Sequence, residues 1–146
     1  MARRFTLAEA QSLIPKVDAL LREAVSLKSD YAQADEAVQA FGQRVTLMGG
    51  MIVDREQVID AKHRRDAVGL KLKGAIEGVQ EFGCVVKDLD MGLIDFPTLL
   101  RGEEVYLCWK LGEPKIAYWH GVDEGFRGRK AIDQDFLDNH RGDRAQ

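Results

Sequence analysis

The sequence predicts an α+β protein: a long antiparallel helical hairpin, coiled-coil-like, followed by a small antiparallel β-sheet of about four strands. Three observations predict it. Two long stretches place apolar residues at alternating steps of three and four, the spacing of a helical seam. From Cys84 the period drops to two, the alternation of half-buried strands. Glycine-rich breaks separate these regions, where regular structure is interrupted. The 146 residues, 45% hydrophobic and 31% charged, fit a single domain over 1–146. Within it the hairpin takes 6–83, the sheet 84–120 and an irregular tail 121–146.

The first seam runs Ala10, Leu13, Val17, Leu20, Ala24, Leu27, Tyr31, Ala34, Val38, Phe41, Val45, Met48. Thr6 followed by Glu9 reads as a capping box that starts the helix near Leu7, since each side chain can satisfy the other's free amide. Pro15 should bend the helix locally, because it has no amide hydrogen to give to residue 11. Gly49-Gly50 should stop it. The second seam is Val58, Ala61, Arg65, Val68, Leu72, Ala75, Val79, Phe82, entered by Asp54 with Gln57 and ended at Gly83. The turn is expected at Met48 to Val53. Arg65 in the seam is a candidate register-setting residue, with Asp35 or Glu36 nearest on an antiparallel count. The helices are unequal, about 63 and 43 Å long at about 1.5 Å per residue. The widened apolar face near Ile14 and Leu21 therefore needs a partner beyond the second helix, and the sheet is the candidate.

Cys84–Asp88 and Leu93–Phe96 read as strands around Asp90-Met91-Gly92, with Gly92 left-handed, Lys87 opposite Asp95, and Pro97 ending the strand. Glu104–Lys110 and Lys115–His120 flank Leu111-Gly112-Glu113-Pro114. That register pairs Val105 with His120, Leu107 with Tyr118 and Trp109 with Ile116, and puts Cys108 and His120 on opposite faces; a slip of one residue would bring them to the same face. After His120 the glycines at 121, 125 and 128 argue against regular structure.

The strings Gly83-Cys84-Val85-Val86-Lys87-Asp88-Leu89-Asp90, Gly92-Leu93-Ile94-Asp95-Phe96-Pro97, Glu104 through Glu113, Ala117-Tyr118-Trp119-His120 and Asp123 through Arg129, with the opening Phe5-Thr6-Leu7-Ala8-Glu9-Ala10, resemble the prokaryotic domain-of-unknown-function family 2203. The resemblance implies a small bacterial or archaeal intracellular protein and carries no reaction and no catalytic residue.

Composition narrows the function classes. A net charge of -3 argues against bulk nucleic-acid binding. The short basic run Lys62-His63-Arg64-Arg65 reads as a solvated face. No apolar run reaches the roughly 18 residues of a membrane helix. No apolar stretch follows Arg3-Arg4, which argues against a signal peptide. Two cysteines make no disulfide framework, so a cytoplasmic location is expected. No phosphate-binding loop or dinucleotide fingerprint is found.

The candidate metal ligands are His120, Asp123, Glu124, Asp88, Asp90 and Asp95, carboxylates and an imidazole gathered at hairpin ends. Such donors suit a divalent cation. Asp is equally at home in turns because it hydrogen-bonds nearby backbone. Asp88 to Gly92 fails as a calcium loop, with glycine at the fifth position and Leu99 at the twelfth. Glu56, Asp60 and His63 share one helical face, where solvated charge pairing competes with metal binding. Arg127 and Arg129, with Tyr118 and Trp119, are a candidate anionic-ligand site or solvated charges. Two function classes follow. One is a non-enzymatic interaction module that forms a homodimer or binds a protein partner through the hairpin. The other is a divalent-metal-binding protein, extending to a metal-dependent hydrolase, centred near His120.

Overall fold

The computed structural model describes residues 3–47 and 55–143. The expected turn at Met48–Val53, the Gly49-Gly50 stop and the Asp54 half of the second capping box lie outside the described residues. The elements in order are α1 Leu7–Leu47, α2 Arg55–Gln80, β1 Val85–Asp88, β2 Leu93–Leu100, β3 Glu103–Lys110, β4 Tyr118–Gly121, a 3-10 turn Phe126–Gly128, β5 Lys130–Ala131, α3 Gln134–Asn139 and β6 His140–Arg141. They form two compact units, one of Met1–Arg22 with Ile76–Gln146 and one of Glu23–Ala75.

In the first unit the capping box opens α1. The Thr6 amide donates to Glu9 Oε1 at 3.0 Å, and the Glu9 amide donates to Thr6 Oγ1 at 3.1 Å. The Leu7 amide donates to His140 Nε2 at 3.0 Å. Three otherwise orphaned donors of the helix start are thereby satisfied. Ala10, Ile14, Val17 and Leu21 of α1 join Ile94, Phe96, Leu107 and Trp109 in one buried cluster, together with Val79. Burying each large apolar side chain of this kind contributes about 1.5–3 kcal/mol. The wide apolar face at the start of α1 thus meets the sheet.

The sheet is antiparallel, in the order β1-β2-β3-β4-β5, with β6 also paired to β2. It has six strands where about four are expected, because the segment after His120 is not irregular. Asp133 caps α3 by accepting from the Phe136 amide at 2.9 Å. Phe136 enters the core at 2% exposure. Its burial anchors the chain so that β6 reaches β2 at Leu99 and Leu100.

Both expected strand registers shift. On β2, Asp95 faces Val85 instead of Lys87, with an irregularity between Val86 and Asp88. On β3, Val105 faces Gly121, Tyr106 faces His120 and Cys108 faces Tyr118, one residue away from expectation. Pro97 does not end β2, which continues to Leu100. The Pro97 carbonyl accepts from the Phe5 amide at 2.7 Å, on the edge away from β3. In an antiparallel strand a residue's N–H and C=O point the same way, so the missing proline donor removes no bond to β3. Gly92 is left-handed as expected, with φ +68°.

In the second unit α1 and α2 run antiparallel, with Arg65 3.3 Å from Asp35 and the Tyr31 ring against Gly69. Four residues forward on one helix match four backward on the other. The seam is only partly covered: Leu27, Ala34, Val38, Phe41, Val58, Ala61, Val68 and Leu72 are all half-buried. Among the described residues no helix is long and apolar enough to cross a membrane.

Candidate metal centre

Three neighbouring strands of the sheet each contribute one side chain to a buried polar cluster on the face away from α1. Asp95 on β2 lies directly opposite Cys108 on β3. His120 on β4 lies opposite Tyr106, two positions along from Cys108. The alternate residues Ile94, Phe96, Leu107 and Trp109 fill the α1 face, as the period of two requires. All three polar residues are buried, at 2%, 1% and 2% exposure. One ligand atom from each lies within 4.8 Å of the other two.

The hydrogen bonds constrain the protons. His120 Nδ1 lies 2.9 Å from the Gly121 carbonyl. A carbonyl only accepts, so Nδ1 carries hydrogen. His120 Nε2 lies 2.9 Å from Asp95 Oδ1. Nε2 and a carboxylate oxygen are both acceptors unless a cation, a proton or a metal ion, lies between them. The Cys108 thiol is pushed up to about 12, first by burial and then by the Asp95 carboxylate, against a smaller opposing effect of Arg129. Burial and the adjacent carboxylate thus favour the neutral thiol over the nucleophilic thiolate.

Glu124 holds the frame of the site. It accepts from the Gly121 amide at 2.9 Å and pairs with Lys130, and the Lys130 bond holds its carboxyl below the usual range. A Cβ at Gly121 would lie 2.7 Å from Glu124 Oε1, and one at Gly128 would lie 2.8 Å from its Cβ. Those two glycines therefore leave room for Glu124, which fixes the same Gly121 whose carbonyl orients His120.

Of the six metal candidates, the structure brings together His120 and Asp95. Asp88 accepts from the Met91 amide at 3.0 Å in the β1–β2 turn. Asp90 and Asp123 are exposed, and Glu124 serves the backbone as described. Lys87 is not the partner of Asp95. Cys108 joins the cluster only because the β3–β4 register is shifted by one residue, and no local sequence signal marks it. Of the ligand candidates, Arg129 donates to Glu113 at 2.6 Å and to the Cys108 carbonyl at 3.2 Å. It lies 4.2 Å over the Tyr118 ring and 4.8 Å over Phe126, so it covers the polar face of the sheet. Trp119 lies under Lys130, and Arg127 is exposed.

Fold and site together define an α+β protein with a buried Asp–Cys–His cluster across three strands. The chain belongs to the uncharacterised conserved protein family DUF2203, whose family model matches residues 3–132. Neither a curated protein nor a solved structure matches it.

Proposed function

We propose that this protein binds a divalent transition-metal ion of the zinc class through Asp95, Cys108 and His120. One observation carries the reading: with Nδ1 committed to the Gly121 carbonyl, His120 turns the lone pair of Nε2 toward Asp95 Oδ1 at 2.9 Å. A carbonyl bond at the far nitrogen is the support that metal-bound histidines use. Charge balance supports it as well. A thiolate, a carboxylate and a neutral imidazole sum to the charge that a divalent ion cancels, which a buried site requires. Tetrahedral zinc wants such donors about 3.3–3.8 Å apart, so adjustments of about an ångström gather atoms already within 4.8 Å. Three protein donors leave a fourth position. The burial of all three closes that position to bulk substrate, so metal binding is proposed and open-site hydrolysis is not.

Elemental analysis of untagged protein prepared without chelator tests the reading. Close to one metal ion per chain is expected, lost in Cys108→Ser and in His120→Ala. Cobalt should give a thiolate-to-metal absorption band that Cys108→Ser removes. Protein that takes up neither zinc nor cobalt, while remaining folded, rules the reading out.

The half-buried seam of the second unit favours an additional reading, association of two copies as a coiled coil. Ile59 and Leu70 are 44% and 72% exposed. They lie eleven residues apart, about three helical turns, and so on one side of α2. Light scattering across concentration tests it, and a monomer at high micromolar protein excludes it.

A further inference from the structure

A cavity of about 770 Å³ lies in the first unit beside the start of α1 and shares no residue with the Asp95–Cys108–His120 cluster. Its walls are mainly apolar, from Leu7, Ile116, Ile132 and Leu137. Its size falls in the range of small-molecule sites, about 300–1,000 Å³. Its polar groups decide the ligand chemistry. Three acceptors on the wall are already taken: His140 Nε2 by the Leu7 amide, Gln11 Oε1 by the Ile116 amide at 2.9 Å, and the Ala117 carbonyl by the Ile132 amide at 3.0 Å. The donors are not. The Gln11 amide NH2 and the Lys115 ammonium line the cavity, and among the described residues neither has an acceptor. Gln11 is half-buried and Lys115 exposed, and an ammonium beside apolar walls favours a negative partner.

We propose that this cavity binds a small monocarboxylate with an apolar body. The carboxylate accepts from Lys115 and the Gln11 amide, and the hydrocarbon lies against Leu7, Ile116, Ile132 and Leu137. A dicarboxylate or a phosphate ester would bring a second charge onto walls that offer it no partner. A neutral apolar molecule would gain nothing from the Lys115 charge.

Octanoate is the probe and octanamide, of equal length and no charge, the control. Methyl-resolved NMR of the full chain should show saturable octanoate shifts at Leu7, Ile116, Ile132 and Leu137. Octanoate should bind about tenfold more tightly than octanamide, the scale of one charge-assisted contact. Lys115→Ala should erase that preference while weak binding persists. Ile132→Trp should fill the cavity and abolish both. Because Ile132→Trp can also disturb folding, exposed Lys115 carries the independent test. The proposal is overturned by any of three results: no saturable shift at millimolar octanoate, shifts confined to other residues, or equal affinity for octanoate and octanamide in the unaltered protein.

Discussion

His120 Nε2 and Asp95 Oδ1 lie 2.9 Å apart while His120 Nδ1 is held by the Gly121 carbonyl. Two acceptors at that distance require a bridging cation, and variants of Asp95 separate a proton from a metal. In Asp95→Asn the amide NH2 donates to Nε2 of a neutral imidazole, so no buried group is orphaned. In Asp95→Ala, Nε2 loses its partner, at a cost of about 1–3 kcal/mol. Urea unfolding of metal-free protein should place Asp95→Asn close to the unaltered chain and Asp95→Ala well below it. Both variants should lose metal. Equal destabilisation by the two substitutions would contradict this account of the hydrogen bonding.

Much of the fold was legible because its signals are local. The Thr6–Glu9 box, the start of α1, the α1 face that meets the sheet, the placing of Arg65 against Asp35 or Glu36 and the left-handed Gly92 all follow from residues a few positions apart or from helical period. The β3–β4 register was not legible. The sequence suggests a short turn, but residues 111–117 leave the sheet: the Glu113 carbonyl and carboxylate take the Trp109 indole and the Lys110 amide, and the Ile116 amide goes to Gln11 on α1. That contact spans more than 100 residues, so no local pattern announces it. The one-residue shift it accompanies turns Cys108 onto the face of His120 and so assembles the site. The tail departs from expectation for a different reason: its glycines argue for breaks, whereas Gly121 and Gly128 make room for Glu124, and the Asp133 cap ahead of Phe136 is a readable helix start.

Gly92 should be the most sensitive turn position. It is left-handed at φ +68°, and a Cβ there would lie 2.6 Å from the Leu111 Cβ. Gly92→Ala therefore combines backbone strain of about 1–2 kcal/mol with overpacking of about 1–3 kcal/mol. Gly102 at φ +82° has open space around it, so Gly102→Ala should show the backbone part alone. Denaturant midpoints should rank unaltered, Gly102→Ala, Gly92→Ala. Equal losses at the two positions would show that the Leu111 contact is not felt.

The capping box gives a coupling prediction with a pH sign. Thr6→Ala should cost about 1 kcal/mol. Adding Glu9→Ala should cost less than the sum of the single changes, because the two side chains act on each other's amides. The Glu9 carboxyl is held below its usual range, chiefly by the Thr6 amide. Its stabilisation is therefore complete above the ordinary glutamate value of about 4.3 and is lost as pH falls through the depressed one. Below that window Glu9→Ala should differ less from the unaltered protein than it does at pH 7. A gap that widens in acid would reverse the sign and remove this role.

The two thiols should be silent in the native metal-free protein. Burial pushes Cys84 up to about 11 and Cys108 up to about 12, and the Cys84 thiol donates to the Val79 carbonyl at 3.3 Å. Iodoacetamide at pH 8 should label neither at an appreciable rate until urea unfolds the chain. The sign of the pH dependence follows from the raised values. An unfolded thiol ionises near about 8.5, so the contribution of each buried thiol is present in full below that pH. It declines as pH rises and is lost by about 12 for Cys108. Cys108→Ala should consequently flatten the alkaline side of the stability profile, even though removing the thiol costs some packing at neutral pH. Rapid stoichiometric labelling of Cys108 at pH 8 in the folded, metal-free protein would mean that the thiol is neither closed off nor protonated, and the charge arrangement derived for the cluster would be wrong.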